Sequence, residues 1–244
     1  MPTERPPRLA VLIDADNASA KIAEGLFAEI ATLGEASVRR IYGDIASPRL
    51  KGWTDVLTRH AIDWRQQTAY TVGKNASDIT LVIEAMDLLH AGRFDGFCLV
   101  SSDSDFTRLA SRLREEGVDV FGFGEQKTPE SFRQACKRFI YTENLLPSAA
   151  EAAAEPKALE PAANAEKLVK QAIGELDGED GWVGLGQIGT QLSNLRPDFD
   201  PRTYGFKKLS DLVRSLDKLE VRREGGQVLV RIAANPKPAR ARKR

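Results

Sequence analysis

The chain has 244 residues, 35 Lys plus Arg against 35 Asp plus Glu, and 42% hydrophobic side chains. That length suits two domains, and the apolar content supports packed cores rather than a disordered chain. Balanced charge excludes any inference of a polyanionic partner from total charge, and two cysteines with no CxxC and no neighbouring histidine exclude a zinc framework. The Pro- and Arg-rich start, Met1 to Arg8, has no apolar core of a signal peptide, and no stretch is apolar enough to span a bilayer. A cytoplasmic protein is expected.

Strand and helix signals alternate from the N-terminus. Leu9 to Ile13 reads as a buried strand ending in Asp14. Ile22, Leu26, Ile30 and Leu33 follow at helical spacing, stopped by Gly34. Ser37 to Tyr42 is β-rich, Pro48 opens a helix through Trp53 and Leu57 to His60, and Asp63 to Gln67 reads as a further strand. Ser77 is the expected cap of a long helix with Ile79, Val82, Ile83, Met86 and Leu89 on its buried side. Gly96 to Val100 is an apolar strand. Phe106, Leu109, Ala110 and Leu113 make a helical stripe stopped at Gly117, and Asp119 to Gly122 returns as a strand. This alternation predicts an α/β fold, a parallel sheet flanked by helices.

Composition then changes. Residues 147–163 are rich in Ala, Glu and Pro without periodicity and read as a linker between a domain at 1–146 and one at 164–233, with a basic tail at 234–244. In the second segment Leu168, Ala172, Ile173 and Leu176 form one helical stripe, and a glycine-rich passage runs from Gly178 to Gly189. Phe206, Leu209, Val213 and Leu216 form another stripe. Leu219 to Glu224 and Gln227 to Ile232 flank Gly225-Gly226, a hairpin signal. Helices closed by a terminal hairpin predict a small winged-helix domain. Basic side chains run from Arg231 into the tail without an acid.

The acids carry the chemistry. Ligands of parallel α/β sheets sit beyond the carboxyl ends of the strands. Asp14 and Asp16 follow the first strand, Asp103 and Asp105 follow the strand ending at Val100, and Asp78 lies in the first turn of the long helix. If the strands from Leu9 and Gly96 are neighbours, Asp14 and Asp103 converge with Asp78 close by. Clustered carboxylates repel, and a divalent ion removes the conflict. Oxygen ligands without Cys or His favour Mg2+ or Mn2+, with Asp14, Asp78 and Asp103 as the expected ligands. Any one of these residues is also an ordinary N-cap. Capping needs one residue per helix, however, and these loops supply two acids each. Asp16 and Asp87 are the expected bystanders, Asp87 pointing about half a turn from Asp78, while Glu84, about a third of a turn off, is an outside candidate. Lys74 either holds a scissile phosphate or orients an acid, or it is a solvated loop lysine.

Asp14-Ala15-Asp16-Asn17, Lys74-x-x-x-Asp78 and Ser101-Ser102-Asp103-Ser104-Asp105-Phe106 resemble the three signature segments of the NYN family, a branch of the PIN-like nucleases, across Leu9 to Asn144. The resemblance implies a PIN-like (Rossmann-like) fold and an acidic Mg2+ site cleaving RNA, with Asp14, Asp78, Asp103 and Asp105 as its acids and Asn17 as a polar helper. The chain departs from the family in having Ser102 where glycine is usual, Glu84 where aspartate is usual, and a longer spacing from Lys74 to Asp78.

Gly184-Leu185-Gly186-Gln187-Ile188-Gly189, Tyr204-Gly205-Phe206-Lys207-Lys208-Leu209-Ser210-Asp211-Leu212 and the hairpin resemble the OST-HTH, or LOTUS, winged-helix domain, which implies an RNA-handling module. Lys207 and Lys208 begin the candidate recognition helix, and Arg222 and Arg223 lie on the wing. All four suit phosphate contacts, and Tyr204 is either a base-stacking ring or core. The expected function is a metal-dependent ribonuclease with RNA as partner. The alternatives are a non-catalytic RNA-binding or effector protein and a haloacid-type phosphohydrolase. A homo-oligomer, or a protein partner held by the C-terminal domain, stays open.

Overall fold

Arg8–Asp14 forms β1, buried from Leu9 through Asp14 because it is covered on both faces. The computed structural model describes residues 5–43, 48–65, 76–146, 159–178 and 180–233. Lys74, most of the expected linker and the 234–244 tail lie outside them. The chain divides into two compact units, Met1–Pro147 and Ser148–Arg244.

In the first unit β1 is followed by α1 (Ala23–Leu33), β2 (Glu35–Tyr42), α2 (Pro48–Arg59), β3 (Asp63–Arg65) and α3 (Ala76–His90). Then come β4 (Gly96–Val100), α4 (Thr107–Glu115), β5 (Asp119–Gly124), α5 (Glu130–Ala135) and β6 (Arg138–Tyr141). The six strands form one parallel sheet in the order β3-β2-β1-β4-β5-β6. The chain builds outward from β1 in one direction, then restarts at β4 and builds in the other. The β1–β4 boundary is therefore the topological switch point, where such sheets open a crevice. Ile13 pairs with Val100 across it, so the loops leaving β1 and β4 emerge side by side.

One face of β1 carries Leu9, Val11 and Ile13 into a core with Leu26 and Ile30 of α1, Trp53 of α2 and Cys98 and Val100 of β4. Trp53 Nε1 donates to the Ala18 carbonyl at 3.2 Å, anchoring the loop after β1. Gly25 lets α1 approach the closing 3-10 turn at Thr142–Leu145, because a Cβ there would stand 2.1 Å from the Leu145 carbonyl oxygen.

Two features of α3 differ from the sequence expectation. The helix begins at Ala76, so Ser77 lies within it, and its hydroxyl donates to Asp16 Oδ2 at 3.4 Å. The buried residues are Leu81, Ala85 and Leu88, while Ile79 and Ile83 are exposed. Both stripes have helical spacing, and the choice between them follows from the sheet against which the helix packs.

The second unit contains α6 (Ala162–Gly174), β7 (Val183–Gly184), α7 (Leu185–Leu195), α8 (Leu209–Ser215), β8 (Leu219–Glu224) and β9 (Gln227–Ile232). The strands form an antiparallel sheet in the order β7-β9-β8. With helices preceding the hairpin, this is the winged-helix arrangement. Gly225 and Gly226 both have positive φ, at 57° and 82°, as the tight hairpin turn requires. The glycine-rich passage conceals α7, which forms because Ile188 and Leu192 are buried in the unit's core. Arg231 belongs to β9 rather than to the tail, and it pairs with Glu220 across the hairpin. No helix among the described residues is long and apolar enough to cross a membrane.

Candidate active site

Asp14 ends β1 and is 1% exposed. Its Oδ1 accepts the backbone N–H groups of Asp16 at 3.0 Å and Asn17 at 3.2 Å. Its Oδ2 accepts Asn17 Nδ2 at 2.8 Å and the Ser101 hydroxyl at 2.7 Å. These donors occupy about all four lone-pair positions of a carboxylate. Burial pushes the Asp14 carboxyl above the usual carboxylate range, the donors from Ser101, Asn17 and Asp16 pull it back, and the Asp16 charge adds to the rise.

The β4 side is built by linked turns. Ser101 Oγ accepts the Asp103 N–H at 3.0 Å, and Asp103 Oδ1 accepts the Asp105 N–H at 2.9 Å. Asp103 thus caps the 3-10 turn at Ser104–Phe106 that leads into α4. Ser102 Oγ accepts the Glu125 N–H at 2.8 Å, tying this loop to the end of β5. Asp103 is half-buried and Asp105 is exposed.

Asp78, in the first turn of α3, is where the two sides meet. Burial, then the charges of Asp14, Asp103, Asp16 and Asp105, push its carboxyl up to about 6. Five acids therefore share one electrostatic neighbourhood at the switch point. Asp16, an expected bystander, is brought among the acids, and Ser19 caps the turn that follows. Glu84 points elsewhere. It accepts from Arg40 Nη1 at 2.9 Å and the Tyr42 hydroxyl at 2.8 Å. Asp87 is exposed on α3 and is not among the charges acting on Asp78.

Two contributors were not assigned from sequence. Ser101 bonds both Asp14 and the Asp103 backbone. Its place in the Ser101–Phe106 string was visible, but its role depends on β1 and β4 being adjacent. Trp182 lies under two guanidinium groups, Arg222 at 4.3 Å and Arg231 at 4.5 Å from the ring centre. No local motif joins these positions.

In the second unit Lys207 and Lys208 are exposed, but they precede α8, with Lys208 as its N-cap position. Arg222 and Arg223 are exposed on β8. Tyr204 is 5% exposed and packs with Ala165 and Leu212, so its ring belongs to the core and is withdrawn as a base-stacking group.

Carboxylates gathered beyond the strands of a parallel sheet, at its switch point, define a PIN-like α/β protein. The chain belongs to the NYN family: residues 8–146 match the NYN domain. Residues 160–230 match the OST-HTH/LOTUS domain. The NYN domain is a PIN-like nuclease domain whose members generally use divalent metal ions, and the OST-HTH domain binds RNA. No curated protein matches the chain. Among solved structures, a protein of unknown function from Vibrio parahaemolyticus is 19% identical, with 57% of this chain and 94% of that one covered and a TM-score of 0.46. An uncharacterized protein from Nitrosomonas europaea is 35% identical over 38% of this chain and 92% of that one, with a TM-score of 0.27. MurG of Acinetobacter baumannii is 10% identical over 86% of this chain and 70% of that one, with a TM-score of 0.37.

Proposed function

We propose that this protein is a metal-dependent ribonuclease that hydrolyses RNA phosphodiester bonds at Asp14, Asp78, Asp103 and Asp105, while the C-terminal unit holds the RNA. The observation that carries this reading is the gathering of Asp14, Asp16, Asp78, Asp103 and Asp105 at the β1–β4 switch point, where burial and then the charges of the other four push the Asp78 carboxyl up to about 6. Such crowding has a functional rationale when a cation is the intended counter-charge.

The donor set suits Mg2+ or Mn2+. It consists of oxygen alone, and the two histidines lie apart: His60 stacks on Phe27, and His90 ends α3. Among the described residues no three acids are grouped closely enough to hold an ion by themselves. Mg2+ tolerates this, since it usually keeps several waters and takes one or two carboxylates. Asp78 and Asp103 are the more open ligands. Asp14 joins them if one of its four donors yields, and the Ser101 hydroxyl is the one that can rotate away. Asn17 keeps the Asp14 carboxylate oriented. When bound, the ion supplies a more acidic water and neutralises charge on the phosphate.

The saturation of Asp14 favours a second reading, an RNA-binding protein that keeps the acidic pocket without turnover. The haloacid-type reading is not favoured, because residues 8–146 match the NYN domain and the Asp14 carboxylate that would attack phosphorus is buried among four donors. Digestion of labelled RNAs and DNAs with Mg2+ or Mn2+, read on a sequencing gel, tests the proposal. Metal-dependent RNA fragments support it. RNA retained without cleavage under both metals would establish the second reading.

A further inference from the structure

The outward face of α3 exposes apolar side chains that the acid cluster does not explain. Ile79 and Ile83, one helical turn apart, are 57% and 56% exposed. They line a groove of about 260 Å³ whose other walls are Asp78, Val82, Asp105 and Phe106. Asp78 and Asp105 belong to both the groove and the acid cluster, so the groove opens onto the candidate active site. It is smaller than the roughly 300–1,000 Å³ of pockets that enclose drug-sized ligands, and it suits a single ring system.

The lining selects the occupant. The groove is apolar at Ile79, Val82, Ile83 and Phe106 and carries two carboxylates, Asp78 and Asp105. A phosphate finds no cation or hydrogen-bond donor among these six side chains. An aliphatic side chain from a protein would cover the apolar part but leave the carboxylates desolvated without donors. A nucleobase matches both parts. Its flat faces lie against branched aliphatic groups, and the N–H groups on its edge donate to carboxylate oxygens.

We propose that this groove is the base subsite of the enzyme, taking the base of one nucleotide adjoining the phosphate held at the acid cluster. The proposal rests on the nuclease reading above.

The test uses the full chain carrying Ile79→Ser and Ile83→Ser together, both at exposed positions. The substrates are a short fluorescently labelled single-stranded RNA and a series in which each nucleotide in turn lacks its base. With Mg2+, the parent should cleave the intact RNA about tenfold better than the RNA lacking the base beside the cut, by a change in KM. The double variant should lose that advantage and treat both RNAs alike. Equal slowing of the variant on both RNAs overturns the proposal. So does a fall in sedimentation coefficient showing that the pair holds two copies of the chain together. If the parent cleaves nothing, the nuclease reading fails separately, and RNA binding by Asp103→Asn still tests the groove. Binding that weakens about tenfold on removal of one base, only while Ile79 and Ile83 are present, supports it. Equal binding of intact and abasic RNA overturns it.

Discussion

The Ser101 hydroxyl donates to Asp14 Oδ2 at 2.7 Å, joining the ends of β1 and β4 across 87 positions of sequence. This bond fixes the relative position of the two loops that bear Asp14 and Asp103. It also favours the charged form of a carboxylate that burial disfavours.

Removing that donor should therefore destabilise the protein in a pH-dependent way. Ser101→Ala penalises the ionised Asp14 more than the protonated one and raises its pKa further. Because the Asp14 pKa lies above the usual carboxylate value, the cost should grow as pH rises, to about 1.5–3 kcal/mol near pH 7.5 and less near pH 4. Urea unfolding at the two pH values measures the difference. An equal cost at both would show that the hydroxyl acts by packing alone.

The acids differ in what their neutralisation should cost. Asp103→Asn should nearly abolish RNA cleavage with little change in unfolding. Asp14→Asn should abolish cleavage and also cost about 1–3 kcal/mol, because an amide cannot accept from all four donors around this buried site. Asp87→Asn, on the exposed face of α3, should match the parent in both assays. Cleavage rates and urea midpoints for the three variants check this, and loss of activity in Asp87→Asn would put the site on a different face of the helix.

Metal dependence should itself depend on pH. The Asp78 carboxyl sits near 6 in the folded chain against an ordinary 3.8, so the folded chain retains a proton that the unfolded chain has lost. Its stabilising contribution is present below about 3.8, declines as pH rises toward about 6, and is gone above that. A divalent ion relieves repulsion only among ionised acids. Mg2+ should raise Tm more near pH 7.5 than near pH 5, and Asp78→Asn should raise the metal-free Tm near pH 7.5 while shrinking the Mg2+ increment. Thermal scans with EDTA and with Mg2+ test this; the same increment at both pH values would contradict it.

RNA holding by the second unit should follow exposed charge rather than the buried ring. Lys207→Glu with Lys208→Glu in the full chain should weaken RNA binding and reduce its salt dependence by about one unit of slope per lost phosphate contact, with unchanged unfolding. Tyr204→Ala should instead cost about 3 kcal/mol of stability, because the residue fills the core beside Ala165 and Leu212. Fluorescence anisotropy over a salt series and thermal unfolding separate the two. An unchanged salt slope for the double lysine variant would move the RNA-holding surface elsewhere, with the Trp182, Arg222 and Arg231 stack as the next place to examine.

The β1 strand, the Ser101–Phe106 string and the Gly225-Gly226 hairpin could be read from the chain because each is a local pattern whose meaning depends on its immediate neighbours. An apolar run ending in an acid, a pair of acids after a strand and two glycines between alternating strands carry their own structural consequences. The buried face of α3 could not be read in this way. Ile79 and Ile83 fit the same 3.6-residue period as Leu81, Ala85 and Leu88, and only packing against the sheet decides which set is covered. For the same reason Tyr204 could be core or contact surface, and Asp16 could be bystander or cluster member. The chain by itself determined that acids would stand at strand ends. The tertiary structure decided that five of them share one field, because β1 and β4 are neighbours in the sheet and α3 brings Asp78 to their ends.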